Sequence, residues 1–115
     1  MAAAPWSSLF AHGRPALIGV LHLPPLPGSP RWQGDFETVR RFALADAAAY
    51  LAGGADGLVV ENFGDVPFFA SAVPPHTVAA MARIAAEVVE AAGRLPVGIN
   101  AVSYTHLTLP TILLV

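Results

Sequence analysis

A parallel-sheet α/β fold is the architecture this sequence predicts. Three observations point to it. Three short apolar runs recur, separated by segments of helical periodicity. The loops that leave the runs are long, whereas those that return to them are tight. Charged residues make up only 12% of the 115-residue chain and hydrophobic ones 55%, a balance that suits buried strands and excludes a disordered chain.

The first run, Ala16 to Leu23, is continuously apolar, which predicts a strand buried on both faces. Pro24-Pro-Leu-Pro-Gly-Ser-Pro30 closes it, because that stretch suits neither a helix nor a central strand. Asp35 reads as a helix N-cap. Behind it Phe36, Val39, Ala43, Ala47, Tyr50 and Leu51 recur at helical spacing, and Gly53–Gly54 ends the helix. The second run is Gly57-Leu-Val-Val60, followed at once by Glu61, Asn62, Phe63, Gly64 and Asp65. A second helix begins near Pro75, with Val78, Met81, Ala82, Ala85, Val88, Val89 and Ala92 as its apolar stripe and Gly93 as its stop. The third run, Pro96-Val-Gly-Ile99, leads into Asn100.

The order is therefore β-α-β-α-β, with strand starts about 40 residues apart, against roughly 31 per unit in an eight-fold barrel. Alternation of this kind implies parallel strands joined by crossover helices. Long β-to-α loops (23–34 and 62–74) facing tight α-to-β loops are what a barrel with its active site on one end produces.

Composition removes several function classes. Six basic residues against eight acidic give net −2, with no basic cluster larger than Arg40–Arg41, so no nucleic-acid partner is expected. Every basic residue is arginine, which rules out a Schiff-base or P-loop lysine. With no cysteine there are no disulfides, thiolate metal sites or cysteine nucleophiles. Mean hydropathy is +0.58, yet no 18-residue apolar run exists, so no transmembrane segment is expected. Met1–Ala4 lacks the charge of a signal peptide, and the expectation is a cytoplasmic protein.

Ligands of parallel sheets bind at the carboxyl ends of the strands. His22, Glu61, Asn62 and Asn100 stand at those ends, and Asp65 lies in the second loop. Glu61 directly follows a buried run, where desolvation suits a general acid or base; the alternative is a carboxylate tied to loop amides. His22 is a proton shuttle or a phosphate or metal contact, or a ring packed beneath the proline loop. Asn62 and Asn100 orient substrate hydroxyls or merely start loops. Asp65 contacts substrate, shares a cation with Glu61, or serves as a turn residue. No metal-binding motif is present, and no cofactor is expected. Asp56 precedes a strand and belongs to the opposite, stabilising end. His12 and His76 are expected to be solvated. Phe63, Phe68 and Phe69 line a pocket or cover the end of the fold.

Two long stretches and a third motif are similar to the BtpA/SgcQ family: Ile18-Gly-Val-Leu-His-Leu-Pro-Pro-Leu-Pro-Gly-Ser-Pro30, Gly53-Gly-Ala-Asp-Gly-Leu-Val-Val-Glu-Asn-Phe-Gly-Asp-Val-Pro-Phe68, and Val73-Pro-Pro-His-Thr-Val-Ala-Ala-Met81. The resemblance covers roughly 15–101 and departs at His76, where the pattern leads one to expect an acidic residue. It implies a TIM (β/α)8 barrel of the phosphate-binding, phosphoribosylanthranilate-isomerase-like type, of which this chain holds the first β-α-β-α-β portion. Members bear photosystem I biogenesis, isomerase-like or hydrolase labels, and the family also occurs in organisms without photosynthesis. The carry-over to this chain reaches His22, Glu61, Asn62, Asp65 and Asn100.

Two functions follow as expectations. One is isomerase-like chemistry on a phosphorylated, sugar-like small molecule, with Glu61 as base, His22 as acid or phosphate contact, and Asn62, Asn100 and Asp65 as substrate contacts. The other is a non-catalytic assembly or stability factor for a membrane protein complex such as photosystem I, acting by peripheral association.

The pattern breaks after Ala101. Val102-Ser-Tyr-Thr-His-Leu-Thr-Leu-Pro-Thr111 has no helix period, and Pro110 interrupts any strand. At all ten positions it resembles the translation of a transposase-based sequencing adapter. Residues 1–101 are therefore expected to be the native barrel portion and 102–115 a non-native tail, in which Tyr104 and His106 serve no function. Three strands with an open edge do not close a barrel. The 115-residue chain made alone is accordingly expected to be insoluble or to lose structure without a cooperative transition; a sharp two-state thermal melt overturns this. Sequencing the source DNA across the codons for Asn100 to Val115 tests the tail directly, and divergence after Ala101 is the expected result.

Overall fold

The computed structural model describes residues 6–66, 68–69, 72–103 and 112–114. A short 3-10 turn (Trp6–Phe10) precedes β1 (Ile18–His22), α1 (Phe36–Ala52), β2 (Gly57–Glu61), a second 3-10 turn (Phe63–Asp65), α2 (Pro75–Ala92), β3 (Val97–Asn100) and β4 (Ile112–Leu114). The chain is thus α/β, and β1, β2 and β3 are parallel neighbours in that order. This arrangement is compatible with part of a β/α barrel.

The helices start and stop where local chemistry dictates. The Asp35 carboxylate accepts from the Glu37 amide at 3.1 Å and from the Thr38 hydroxyl at 2.7 Å. It thereby satisfies an amide that the first helical turn leaves free. The Thr38 hydroxyl, followed by the backbone amides, holds the Asp35 carboxyl below the ordinary carboxylate range. After α1 the left-handed conformation falls on Gly54, with φ +87°, while Gly53 stays right-handed. At the end of α2, Gly93 takes a positive φ of 65°.

Both helices cover one face of the sheet. Register pairs Leu21 with Val60, and Leu58 with Val97, so these side chains share a face. They form the core with Val39, Ala43 and Ala47 of α1 and Met81, Ile84, Ala85 and Val88 of α2. Arg40 joins the two helices, its Nε donating to the Glu87 carboxylate at 2.6 and 2.9 Å. Tyr50 sits at the edge of this core and stays 37% exposed. Its ring lies over Gly19, where a Cβ would stand 2.5 Å from Cγ, and its hydroxyl donates to the Val20 carbonyl at 3.0 Å.

Three expectations change. The first run is not buried on both faces: β1 alternates, with Leu21 buried and Ile18 and His22 exposed. Its second face has no covering layer among the described residues beyond Leu9, which reaches Gly57 from the first 3-10 turn. The α2 stripe is also rotated. Thr77, Ala80 and Ile84 are buried, while Val78 is 53% exposed and Ala82 is exposed. Finally, the edge of β3 is not open, because β4 pairs with it antiparallel over Gly98–Asn100. A sheet edge offers backbone donors and acceptors that any extended segment satisfies, whatever its side chains. Pro110 lies outside the described residues, as do Tyr104 and His106.

The amino ends of the strands are tied by Asp56. Its carboxylate accepts from the Leu17 amide at 2.8 Å, from both terminal nitrogens of Arg14 at 3.0 Å and faces His12 Nε2 at 3.1 Å. His12 is thus a member of this cluster rather than simply solvated. The placement of Asp56 away from the carboxyl ends agrees with the sequence expectation.

The Leu17 amide, then Arg14, hold the Asp56 carboxyl below its ordinary value of 3.8. A depressed folded-state value means that the stabilisation is complete above 3.8 and is lost as the pH falls through the lower folded value. Acid denaturation of the product of the intact source gene, followed by circular dichroism, is expected to show this limb. In Asp56→Asn the limb shrinks, and stability near neutral pH falls towards the wild-type acid value.

Candidate active site

His22, Glu61 and Asn100 are neighbours in a single row. The sheet register pairs His22 with Glu61 and Glu61 with Asn100. Since successive side chains of a strand alternate between faces, the three stand on one side, the face opposite the helices. Each is the last residue of its strand. The sequence put them at strand ends; the structure adds that they are aligned.

The Glu61 carboxylate lies between the other two. Oε1 accepts from Asn100 Nδ2 at 3.0 Å, and Oε2 lies 3.4 Å from His22 Nε2. The Glu61 side chain is 18% exposed and that of His22 56%. Glu61 therefore looks into the sheet and His22 towards solvent. No loop amide binds Glu61 among the described residues, so the alternative of a carboxylate tied to loop amides is not what the structure shows. Nor is His22 packed beneath the proline loop. Its ring stacks on Phe63, with centroids 4.8 Å apart and an interplanar angle of 26°, and Phe63 in turn meets Phe68 edge-on at 6.0 Å. Phe63 is half exposed and Phe69 lies near the surface. The stack fixes the imidazole plane beside Glu61, a role that sequence reading did not assign to Phe63.

The carboxylate accepts only, so its contact with Asn100 sets which end of that amide is which. Asn100 Oδ1 is left buried without a hydrogen-bond partner among the described residues.

Asn62 and Asp65 stand apart from this row and fix the loops around it. Both are buried, at 1% and 4% exposure. Asp65 Oδ1 accepts from the Leu26 amide at 2.7 Å and Oδ2 from Asn62 Nδ2 at 3.2 Å. The Asn62 amide also bridges the backbone of Val102: Oδ1 accepts from its N–H at 2.6 Å, and Nδ2 donates to its carbonyl at 3.3 Å. One hydrogen-bonded chain thus joins the proline loop, the end of β2 and the segment after β3. Leu26 is fully buried, which anchors the proline loop further.

Two glycines let these loops close. A Cβ at Gly64 would stand 2.5 Å from the Leu23 carbonyl oxygen and 2.8 Å from the backbone of Pro24 and Pro25. Gly28, at φ +92°, lies beneath the His76 ring, which a Cβ there would overlap. His76 is exposed, as expected, but its ring packs on the proline loop. Sequence patterns gave no sign of these contacts, because each joins residues far apart in the chain. Among the described residues no group of three histidine, aspartate or glutamate side chains could hold a metal ion. No helix among them is long and apolar enough to cross a membrane.

Comparison with known proteins adds an independent line. The model of the BtpA family matches residues 14–108. A protein of Pyrococcus furiosus described as uncharacterized is 52% identical over 85 residues, which cover 74% of this chain and 32% of that protein. The photosystem I biogenesis protein BtpA of Synechocystis is 46% identical over 84 residues, or 73% of this chain and 29% of that one. An uncharacterized mitochondrial protein of Caenorhabditis elegans is 32% identical over 84 residues, 73% of this chain and 30% of its own length. The chain spans about a third of the length of these curated relatives. No solved structure matches it significantly.

Removing the Asp65 carboxylate leaves the Leu26 amide buried without a partner, at a cost of about 1–3 kcal/mol. Asp65→Ala is therefore expected to destabilise the product of the intact source gene by that amount in urea unfolding. It also opens the proline loop to limited proteolysis, while Asp65→Asn, which keeps an acceptor, is milder on both counts.

Proposed function

The chain belongs to the BtpA family, and we propose that the intact protein is a β/α barrel whose His22, Glu61, Asn100 row performs acid–base chemistry on a phosphorylated, sugar-like small molecule. The observation behind this reading is the Glu61 carboxylate set between the Asn100 amide and the His22 ring at the carboxyl ends of three parallel strands. Such strand ends are where barrels place their reacting groups.

In this reading Glu61 takes a proton from the carbon next to a substrate carbonyl. His22, in its protonated form, gives one to the carbonyl oxygen. Glu61 then returns its proton to the former carbonyl carbon while His22 takes one from the hydroxyl on the neighbouring carbon, which becomes the new carbonyl; both groups are restored, and no net oxidation occurs. Asn100 orients the carboxylate through its Nδ2 and contacts the substrate. Asn62 and Asp65, expected from the sequence as substrate contacts, are buried apart from the row and act as positioning residues through the loops they fix. Strands beyond this chain would supply the phosphate grip, as in related barrels. A cytoplasmic location is part of the same proposal.

A second reading is favoured by one finding, the name of the Synechocystis relative as a photosystem I biogenesis protein. In that reading the proline loop and Phe63, Phe68 and Phe69 form a recognition surface for a membrane protein complex, with no catalysis.

Glu61→Gln separates the two. In the product of the intact source gene, assayed against a panel of phosphosugars, it is expected to lower turnover by about 10²–10⁴-fold. Unchanged turnover removes Glu61 from the mechanism. Loss of partner capture on deleting Pro24–Pro30, with small-molecule binding intact, favours the assembly role.

A further inference from the structure

The row at the strand ends has one atom left over. Asn100 is 8% exposed, and its Oδ1 has no hydrogen-bond partner among the described residues. A buried acceptor of this kind costs free energy until a donor reaches it. Which atom is left over is set by its neighbour. Glu61 Oε1 only accepts, so the end of the Asn100 amide that meets it, at 3.0 Å, is Nδ2. The carbonyl end remains, and it too can only accept. Glu61 Oε2 lies on the other side of the carboxylate, 3.4 Å from His22 Nε2. The row is therefore polar along its length, with an imidazole on β1 and unsatisfied acceptor capacity on β2 and β3.

We propose that Asn100 is a specificity-determining residue whose Oδ1 accepts a hydrogen bond from a substrate hydroxyl outside the two reacting carbons. The proposal rests on the acid–base reading given above and narrows its substrate class. In that reading the carbons that exchange a proton lie by Oε2 and His22. Asn100 stands across the carboxylate, at Oε1, so it meets a further group of the same molecule. That group must donate. A phosphate dianion brings acceptors to an acceptor, beside a carboxylate of its own sign, and is repelled. A carbonyl or ether oxygen leaves Oδ1 unpaired. A hydroxyl satisfies it. The substrate is then a polyhydroxylated chain whose phosphate lies away from Asn100. A triose phosphate is too short, because the one carbon outside its reacting pair carries the phosphate. A site that pairs a buried acceptor with a substrate hydroxyl discriminates strongly against the analogue without it, which strands the acceptor.

The test reads binding, by calorimetry, on the product of the intact source gene. The probes are pentitol and hexitol phosphates, which lack a carbonyl and do not react, and their singly deoxyfluorinated counterparts. Fluorine fills the place of a hydroxyl without donating. At one position it is expected to weaken binding by about tenfold or more, and in Asn100→Leu that penalty disappears. Glu61→Gln carries the same test without touching Asn100. Glutamine can donate to Oδ1 and turn Nδ2 towards the ligand, so the penalty at that position shrinks. A penalty that persists in either variant, once folded, overturns the proposal. So does binding with no donor-sensitive position, the result that a structural water or a protein donor on Oδ1 produces; the catalytic reading survives it. Absence of binding by every polyol phosphate overturns both. Full turnover of Glu61→Gln on phosphosugars, with the penalty abolished in Asn100→Leu, removes Glu61 as the base and leaves Asn100 as the selector.

Discussion

The surroundings of the candidate site depend on one buried carboxylate. Asp65 receives the Leu26 amide on one oxygen and the Asn62 side chain on the other. Asn62 passes the connection to Val102. A proline-rich loop has few amides to offer a sheet or a helix, so its position must come from the amides it retains. Leu26 supplies one of them. The short turn Phe63–Asp65 then determines where Phe63 lies, and Phe63 sets the plane of His22. The geometry of the histidine beside Glu61 is in this sense inherited from a hydrogen bond on the far side of the turn.

The two faces of the sheet do different things. The helix side is closed by aliphatic side chains and alanines, which allow α1 and α2 to lie near the strands and each other. The other face bears Val20 and Val59, half-buried, and ends in the polar row. Strands that present apolar residues to both sides usually belong to sheets covered on both sides. The half-exposed face and the uncovered α2 flank therefore describe the same condition: the apolar surface of the described residues is larger than those residues themselves cover.

What was legible in the sequence was local. The Asp35 cap, the glycine stops and the proline at the start of α2 each act within a few residues, so their signatures are contiguous. Parallel order followed from alternation, and the placement of His22, Glu61 and Asn100 at strand ends followed from where the apolar runs stopped. Register did not, because a one-residue slip changes which side chains align without changing any local preference. The Asp56 cluster brings together residues more than 40 positions apart, and the Asn62 bridge to Val102 spans 40, so neither left a pattern to read. Tyr50 fitted the helical stripe by spacing, but its ring rests on Gly19 at the margin, because a hydroxyl that has a backbone partner need not enter the core. The rotated α2 stripe has a related cause. Periodicity reports every apolar flank of a helix, including one left uncovered among the described residues.

The Asp56 cluster and the His22, Glu61, Asn100 row stand at opposite ends of the same short strands, separated by roughly 13 Å along β1. Charges at that distance are beyond a Debye length in physiological salt wherever solvent lies between them. Through solvent, the two clusters therefore interact weakly with each other. Replacement of a group in the row then leaves the hydrogen bonds of the lower anchor untouched. A lineage built on this segment is free to vary the residues at one end of its strands without renegotiating the anchor at the other.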